Sequence, residues 1–578
     1  MRHSSIVSTV LLAASVVAPS VLHASTTNVA RHLVPAAHRV MHPGSALVRE
    51  FVLMALPHLK GPTQLPFLNL LKTLPPATKQ PGVTISTKAT KNVQCSGGVC
   101  TPTAAIAVLN VSDLTRLLGD GSVTIATTAQ APDIFVNAPF SWASANGLTF
   151  QAIGNVTLNK RVSDAGPAPL TLTYNATGAG GALSFGNKGS INFLSAGNPL
   201  TINGQGYILA NNIQFLAQVI ARNPSGNFAL SASYNAKPDG KYTQSPIPTL
   251  FQGNFEGLGN TISNLHLDAS GQLAGGLFQQ IGPTSYVANL RLHHLNLLTI
   301  NSTTAGGFAA ENDGTIFDVA VDSNTTVAAT FSSDGDCFAG GLVGLNTGTI
   351  SFSNSLATVQ VDYESGSHCA IGGLIGYTKS NVDHSFAGQG TVSESGPGSQ
   401  YSLGGLIGVA GTDVFLTPNI TASFATGAVA STASTAGSVG GFIGSNLGQF
   451  CCGSASVANS SASGPVTGGS VIGGFVGANT GVIDDAVATG AVSSSICAQC
   501  GGFAGLIVGG GVYSTSISDS TSFGSISGPG LAGGFVGQDQ TPQDIFNSGW
   551  CTTSSGFTDI HHGAGDPADD AGIAPFTC

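Results

Sequence analysis

A Gly-Gly-(Leu/Phe) unit recurs along the C-terminal half of the chain, and its regular spacing restricts the fold more than any other feature. The units begin at Gly275, Gly306, Gly340, Gly372, Gly404, Gly440, Gly473, Gly501 and Gly533, with spacings of 31, 34, 32, 32, 36, 33, 28 and 32 residues. A near-constant period of this length indicates a repeat architecture in which each unit packs on its neighbours. A second strand-like piece recurs between units, as in 422–427 and 485–490.

The residue after each glycine pair predicts an apolar ladder. In a stack of parallel coils about 4.8 Å apart, side chains at equivalent positions lie one above another. The predicted ladder consists of Leu277, Phe308, Leu342, Leu374, Leu406, Phe442, Phe475, Phe503 and Phe535. Burial of each would contribute roughly 1.5–3 kcal/mol. A propeller blade normally needs about forty or more residues, so the shorter period favours an all-β solenoid, a parallel β-helix.

Composition agrees with many short strands joined by tight turns. Glycine supplies 79 residues and charged residues only 8%, whereas disordered chains are usually charged and poor in β-branched residues. Asn312, Asn346, Asn446 and Asn479 share a phase of the repeat and predict a partial turn ladder. Two short helices are expected, over 112–119 with Ser112 as N-cap and over 213–221.

The charge distribution excludes nucleic-acid binding. Residues 1–100 carry nine Lys or Arg and one acid, Glu50, whereas the remainder carries nine bases and 27 acids. Beyond Arg291 the only Lys or Arg is Lys379. So acidic a stretch would repel a phosphate backbone.

The N-terminal residues predict export. Arg2 precedes an apolar run over 6–22, and Ala24 is a suitable last residue before cleavage, so 1–24 is interpreted as a signal peptide. Pro19 and the short length of the run argue against a membrane anchor. The proline-rich stretch 25–90 is interpreted as a linker or pro-segment, with a short helix expected over 47–56.

The repeats resemble the GLUG repeats of filamentous-haemagglutinin-like bacterial surface adhesins. The resemblance covers 250–550, with the lead-in Phe251–Leu265, and residues 91–249 look like the haemagglutinin-type stretch that precedes such repeats. Asn547–Gly556 is similar to an aromatic closing segment, which leaves 551–578 as a C-terminal tail or cap. The resemblance implies a right-handed parallel β-helix on the cell surface or released from it.

The ten cysteines of an exported chain favour disulfides. Cys337 and Cys369 each lie three residues before a glycine pair, so one coil per repeat would place their Cα atoms about 4.8 Å apart, within the disulfide range of about 4.4–6.8 Å. Further expected pairs are Cys95 with Cys100 and Cys551 with Cys578. Phase does not pair the remaining four, which are Cys451, Cys452, Cys497 and Cys500.

The carboxylates and cations predict no catalytic site. Elimination on an acidic sugar commonly needs a basic residue with supporting cations, yet Arg291 and Lys379 lie more than two repeats apart. Hydrolysis needs two carboxylates facing one cleft. The adjacent pair Asp484 and Asp485 would point to opposite faces of a strand, and Asp334 and Asp336 are interpreted as turn residues. We therefore expect no enzyme.

Metal, redox and cofactor sites are not predicted either. His293-His294 and His561-His562 lack zinc-ligand spacing. The Cys-x-x-Cys spacing of 497–500 has no helical or βαβ context, so a structural disulfide or a partner in another coil is favoured over redox chemistry. Asp318, Asp383 and Asp519 occupy similar late-repeat positions, where an outward polar ladder is favoured over calcium.

Three functions stay open. The first is a surface or secreted adhesin that binds host or matrix glycans or proteins through its lateral faces, by a secretion route the sequence does not name. The second is a purely structural surface stalk. The third is a polysaccharide-active β-helix enzyme.

Overall fold

The computed structural model describes residues 80–578, apart from positions 177, 179, 558 and 560 and the segments 332–334, 364–366, 397–399, 412–416, 433–436, 449–453, 510–514, 541–543 and 567–570. The predicted signal segment, the helix expected over 47–56, Asp334, Cys451 and Cys452 lie outside the described residues. The first strand, Gly82–Ser86, precedes the predicted boundary at residue 91 and pairs in parallel with two strands of the first sheet.

Residues 80–202 form an N-terminal block of short, mostly parallel strands in three sheets. One sheet consists of Leu183–Phe185, Val156–Leu158, Asp133–Val136, Gly82–Ser86 and Ile106–Asn110. A second consists of Ser190–Phe193, Arg161–Asp164 and Phe140–Trp142. The third consists of Val93–Ser96, Val99–Pro102, Val123–Ala126, Leu148–Gln151, Leu170–Thr173 and Leu200–Ile202.

Two ten-residue helices cover parts of the solenoid, as the sequence predicts. Val111–Asp120 buries Leu114 and Leu118, and its N-cap is Asn110, whose side-chain oxygen accepts from the backbone N–H of Ser112. The predicted N-cap Ser112 is wrong, because the asparagine two residues earlier already satisfies that N–H. Ile213–Arg222 is capped by Asn212. Shorter helical pieces are Lys237–Asp239 and Thr552–Ser555.

The repeats form a parallel β-helix with four lateral sheets, here numbered I to IV in the order in which a coil visits them. Sheet I consists of Ala274–Gly275, Thr304–Gly306, Gly335–Gly340, Ser367–Gly372, Gln400–Gly404, Ser438–Gly440, Val471–Gly473, Gln499–Gly501 and Leu531–Gly533. Sheet II consists of Phe278–Ile281, Ala309–Asn312, Val343–Asn346, Ile375–Thr378, Ile407–Ala410, Ile443–Asn446, Val476–Asn479, Ala504–Ile507 and Val536–Asp539.

Sheet III is bent at one corner in every coil. Its entry strands are Gln205–Ala210, Asn227–Leu230 and Tyr234–Asn235. Before the corner lie Asn254–Glu256, Tyr286–Ala288, Thr315–Phe317, Thr349–Ser351, Val382–Asp383, Asn419–Thr421, Ser516–Ser518 and Ile545–Phe546. After it lie Thr261–Ser263, Arg291–His293, Ala320–Val321, Asn354–Ser355, Phe386–Ala387, Phe424–Ala425, Thr521–Ser522 and Ser548–Cys551. Ser456–Ala462 and Val482–Ala488 run through the corner.

Sheet IV closes each coil. It consists of Lys241–Tyr242, His266–Asp268, Asn296–Ile300, Thr326–Phe331, Thr358–Tyr363, Val392–Ser395, Val429–Ser431, Val466–Thr467, Val492–Ser493 and Ile526–Ser527. The C-terminal strand Ile573–Phe576 pairs in parallel with Ser548–Cys551 and extends sheet III. None of the helices within the described residues has the length and apolar character needed to cross a bilayer.

One repeat makes one coil. The first glycine of each unit pairs in register with that of the next, from Gly306 through Gly340 to Gly533. The first unit differs, because Gly275 pairs with Ala305 and lies one residue out of register in sheet I. Sheet II keeps its register there, since Phe278 pairs with Ala309.

All nine residues of the apolar ladder are fully buried. The rings of Phe442, Phe475, Phe503 and Phe535 stack almost face to face, with centroids 4.7, 4.9 and 4.8 Å apart. These separations match the spacing between coils. The ladder is therefore the continuous interior of the β-helix.

The expected asparagine ladder is also inside. The Asn312 side-chain amide donates to the side-chain oxygen of Asn346 at 2.7 Å, and Asn446 donates to Asn479 at 2.8 Å. Between these pairs Thr378 accepts from Asn346 at 2.9 Å, while Ala410 occupies the position between Thr378 and Asn446. The alanine interrupts the ladder, which leaves the buried side-chain oxygen of Asn446 without a donor.

Candidate functional site

A groove on the outer surface of the repeats lies where sheets I and II meet. Glycines allow the two sheets to approach closely, because each sheet II strand packs directly on the backbone of the sheet I strand in the preceding coil. A Cβ at Gly376 would lie 2.6 Å from the backbone nitrogen of Ala339, and one at Gly408 would lie 2.2 Å from that of Ile371. Only glycine fits so close to backbone atoms. The two sheets then diverge as the walls of what we call the lateral groove.

Each wall contributes one side chain per coil to the corner between the two sheets. On sheet I these are Thr304, Phe338, Ala370, Ser402, Ser438, Val471, Gln499 and Leu531. On sheet II they are Gln280, Glu311, Leu345, Tyr377, Val409, Ser445, Ala478, Leu506 and Gln538. Most are small or polar, so the outer face of a coil does not need large apolar side chains at these positions.

Opposed side chains meet across the groove, each sheet I residue with the sheet II residue of the next coil. Ser402 and Ser445 share a hydrogen bond of 2.7 Å, and Gln499 donates to Gln538 at 3.3 Å. Between one pair of adjacent coils the contact is aromatic, with the rings of Phe338 and Tyr377 5.4 Å apart. Both rings are half-buried. The aromatic pair therefore replaces a polar contact at one place in a regular series.

The same two coils carry charged side chains. The Lys379 ammonium lies over the Tyr377 ring, 5.2 Å from its centroid. Lys379 is also the only Lys or Arg after Arg291. At the opposite lip, His368 Nδ1 lies 3.8 Å from a carboxylate oxygen of Asp336. The cavity beside these residues has a volume of about 760 Å³ and continues past Ala370 and Ser402 to Val471.

A disulfide lies directly behind this part of the groove. Cys337 and Cys369 are paired residues of adjacent sheet I strands, their Cα atoms are 4.5 Å apart, and the structure joins them by a disulfide. Both side chains are buried. In the next coil Tyr401 takes the equivalent interior position, where burial raises its pKa to about 12 and its hydroxyl bonds to Ser431 at 2.7 Å. The strands that carry Phe338, His368 and Asp336 are thus cross-linked from inside.

The other cysteine pairs also form. Cys95 bonds to Cys100 across a hairpin, Cys551 bonds to Cys578, and Cys497 bonds to Cys500. The last pair is one that repeat phase leaves open. Every cysteine among the described residues is therefore oxidised.

The three late-repeat aspartates considered in the sequence analysis do not form a cluster. Asp318 and Asp519 occupy the left-handed corner of sheet III, but Asp383 lies one residue earlier, because His384 takes that corner. The three aspartates therefore lie at similar but not identical positions of the repeat. The Asp383 carboxylate binds Thr421 at 2.7 Å and His384 at 2.6 Å, and these contacts outweigh burial and lower its pKa.

The adjacent acids and histidines are held by local contacts. Asp484 accepts from Ser518, and Asp485 lies at the left-handed corner. Asp336 lies in a strand rather than in the expected turn. His293 faces Asp322 at 3.4 Å and His562 faces Asp559 at 3.6 Å. Within the described ranges, no three His, Cys, Asp or Glu side chains are close enough to hold a metal ion.

The lateral groove can bind but offers its ligand few reactive groups. Backbone N–H and C=O groups of sheets I and II are engaged between parallel coils, so side chains must provide the contacts. Those are an aromatic pair, hydroxyls, one ammonium and one imidazole–carboxylate pair. Asp336 is the carboxylate among the described residues that line the cavity, whereas glycoside hydrolysis uses two.

Sequence reasoning missed Phe338, Tyr377 and His368. The sequence does contain a signal for the aromatic pair. Among the equivalent groove residues of successive coils given above, Phe338 is the one aromatic residue on sheet I and Tyr377 is the one aromatic residue on sheet II. Aligning the repeats position by position exposes both departures. Recognising them as a site also requires knowing that these two series of residues face each other across the groove.

Comparison with known proteins gives one informative similarity. Halomucin of Haloquadratum walsbyi is 28% identical over 296 residues, which is 48% of this chain and 3% of halomucin. No protein-family model matches the chain. Membership of the GLUG or filamentous-haemagglutinin-like family is therefore not confirmed.

Proposed function

We propose that this chain is an exported, surface-associated or released β-helix that binds glycans in its lateral groove and does not turn them over. One observation carries the proposal: the aromatic pair, Lys379 and the Cys337–Cys369 disulfide all depart from the repeat within the same two adjacent coils. A stalk built only for length has no need for these three features at one place.

Three observations support an extracellular location. The first residues have the pattern of a signal peptide. Four disulfides join described cysteines, and such bonds persist in oxidising compartments. The similarity to a segment of halomucin supports a surface-associated setting.

The surface favours a glycan over a protein ligand. Peptides commonly add a strand to an exposed sheet edge, but the strands that form the groove walls already pair with coils on both sides. Protein interfaces usually depend on anchors in deep apolar pockets. This groove extends along consecutive coils from Phe338 to Val471, and the small side chains of Ala370, Ser402 and Ser438 are among those that line it. A sugar chain, which presents C–H faces and hydroxyls, matches apolar rings beside hydroxyls.

Phe338→Ala is expected to weaken glycan binding about tenfold, because truncating an aromatic contact residue at the centre of a site commonly costs more than 1 kcal/mol. The measurement is a glycan array with the full chain, followed by titration calorimetry on the best-bound glycan. Phe317→Ala is the matched control, since Phe317 is also outward and half-buried but belongs to sheet III.

Two results would contradict the proposal. Equal weakening by both variants would assign the loss to general destabilisation rather than to the groove. Failure of the intact chain to bind any glycan would favour the structural stalk. Release of new reducing ends from a bound glycan would instead favour the polysaccharide-active enzyme.

A further inference from the structure

Aromatic rings follow one another on the outer surface of sheet III in four consecutive coils. They belong to Tyr286, Phe317, Phe352 and His384, all half-buried, and neighbouring ring centroids are 6.3, 5.4 and 4.7 Å apart. We call these four residues the aromatic stripe. The interior of the same strands is filled by other side chains, such as Ile316, so core packing does not require the rings.

Phe352 has a backbone conformation that a bulky side chain rarely adopts. Its φ is +52°, in the left-handed region, which Asn and Asp tolerate far better than other non-glycine residues. The same corner in other coils carries Asn289, Asp318, Asn459, Asp485, Asp519 and Asn547. A phenylalanine at this corner therefore strains the backbone where an asparagine would not, and strain of this kind concentrates at binding sites.

A proline-rich segment of the same chain has the chemistry to cover these rings. Residues 57–76 contain five prolines, Lys60 and Lys72, and no acid. Proline-rich segments dock on aromatic surfaces with a small loss of conformational entropy, because proline fixes the backbone in advance. The lysines favour the body of the solenoid, since residues 292–578 carry 20 Asp or Glu and one basic residue.

The segment is long enough to reach the stripe. Strand Gly82–Ser86 is three ladder steps from Leu183–Phe185, and carbonyls of the latter accept hydrogen bonds from the side chains of Asn289 and Arg291 in the first repeats. The path from this strand to the middle of the stripe is therefore about six steps, or roughly 29 Å. A polyproline II chain from 57 to 81 would span about 80 Å.

We propose that residues 57–76 dock on the aromatic stripe, with prolines against the rings of Phe317 and Phe352 and with Lys60 and Lys72 toward the acidic surface. Docking of this segment and glycan binding are independent, because the stripe belongs to sheet III and the lateral groove lies between sheets I and II.

The test measures tryptic cleavage after Lys60 and Lys72, by mass spectrometry of the fragments. The full chain is compared with a synthetic peptide of residues 51–79 at the same concentration. A docked segment must detach before the protease can cut it, so cleavage of the full chain is expected to be at least about tenfold slower than that of the peptide.

Phe352→Asn is expected to bring cleavage to within about twofold of the peptide rate, because protection follows the fraction of the segment that is docked. Asparagine suits the left-handed corner, so the coil itself is expected to stay folded. Phe317→Ala should also speed cleavage. Ala422→Asn is the matched control, because Ala422 occupies the same left-handed corner one coil beyond His384, and this variant should keep the protection.

The remaining outcomes each contradict the docking. Equal cleavage of the full chain and the peptide shows that the segment is not held. Protection that survives in both Phe352→Asn and Phe317→Ala places the segment elsewhere. Loss of protection in Ala422→Asn as well assigns the effect to general loosening of the coils. A full chain that elutes as a dimer, and as a monomer in Phe352→Asn with cleavage unchanged, gives the stripe to a second copy of the chain.

Discussion

Replacing Phe475 by alanine is expected to lower the local unfolding free energy of its coils by about 3–5 kcal/mol. Phe475 is fully buried, and its ring lies between those of Phe442 and Phe503 at 4.7 and 4.9 Å. The backbone ladders on both sides hold the coil spacing, so the cavity cannot collapse. The loss therefore includes the removed ring, its stacking contacts and the cavity that remains.

The damage should be local. In a solenoid each repeat contacts mainly its neighbours, so amide hydrogen-exchange protection is expected to fall in coils near Phe475 and to remain unchanged in residues 82–202. Phe546→Ala is the control, because Phe546 is 53% exposed and its loss should change stability by no more than about 0.5 kcal/mol. Unchanged protection in the Phe475→Ala coils would show that Phe475 is not an interior residue.

Replacing Glu256 by glutamine is expected to stabilise the protein at pH 9 by about 5 kcal/mol and to change stability by less than about 1 kcal/mol at pH 5. Glu256 is buried where the N-terminal block meets the repeats, and burial raises the pKa of its carboxyl to about 8. Its described contacts are the backbone N–H of Leu258 at 3.1 Å and the Asn289 side chain.

No cation offsets the buried carboxylate among these contacts. The nearby Arg291 guanidinium donates instead to the backbone carbonyls of Gly259, Phe185 and Gly186, at 2.6, 3.0 and 3.1 Å. Those hydrogen bonds join the first repeats to the N-terminal block, so the guanidinium binds backbone carbonyls rather than the Glu256 carboxylate. The negative charge of Asp318 raises the pKa of Glu256 further.

The sign of the pH dependence follows from the raised pKa. Below pH 4.5, the ordinary value for this carboxyl, Glu256 is protonated in both the folded and the unfolded chain. Between pH 4.5 and 8 the unfolded chain loses the proton while the folded chain keeps it, so stability falls by about 1.4 kcal/mol per pH unit. Above pH 8 the contribution of this group levels off.

Denaturant titrations from pH 5 to pH 9 test this prediction. Glutamine resembles the protonated carboxyl, so the variant should lose most of the downward slope. Asp120→Asn is the control, because the Asp120 side chain is 75% exposed and its removal should leave the slope intact. An unchanged slope in Glu256→Gln would mean that another group causes the pH dependence, and a less stable variant at pH 9 would mean that Glu256 is ionised there without cost.

Repeat phase alone predicts those features that depend on equivalent positions in consecutive coils. Phe475 and its stacked partners, and the neighbouring cysteines Cys337 and Cys369, could be placed because one coil corresponds to one repeat. Features that depend on where a coil bends were not predictable. Asp383 and Asp519 lie at different places relative to the sheet III corner, although both follow the glycine pair late in their repeats.

A serine ladder at that corner shows why phase fails there. The Ser385 hydroxyl accepts from the backbone N–H of Ser353 and donates to the carbonyl of Asp383, and Ser423 repeats this arrangement one coil later. Ser385 follows Gly372 by 13 residues, whereas Ser423 follows Gly404 by 19. Insertions between sheet II and sheet III change the spacing, so the serines share a position in space without sharing a phase.

The lateral groove illustrates a second limit. Phe338, Tyr377 and Lys379 are ordinary outward residues when the sequence is considered one strand at a time. They form a site because glycines let sheets I and II approach at a concave corner, and because a sheet I residue meets the sheet II residue of the next coil. Both facts concern the packing of strands and not the character of any single residue.

Non-reducing peptide mapping of the secreted protein tests the one-coil register most directly, and the groove depends on that register. Two sheet I strands that pair residue by residue place Cys337 beside Cys369, so a proteolytic fragment containing both, joined by a disulfide, is the expected result. Free thiols at these positions, or a disulfide from either one to a cysteine elsewhere in the chain, would contradict the register and with it the arrangement of Phe338, Tyr377 and Lys379.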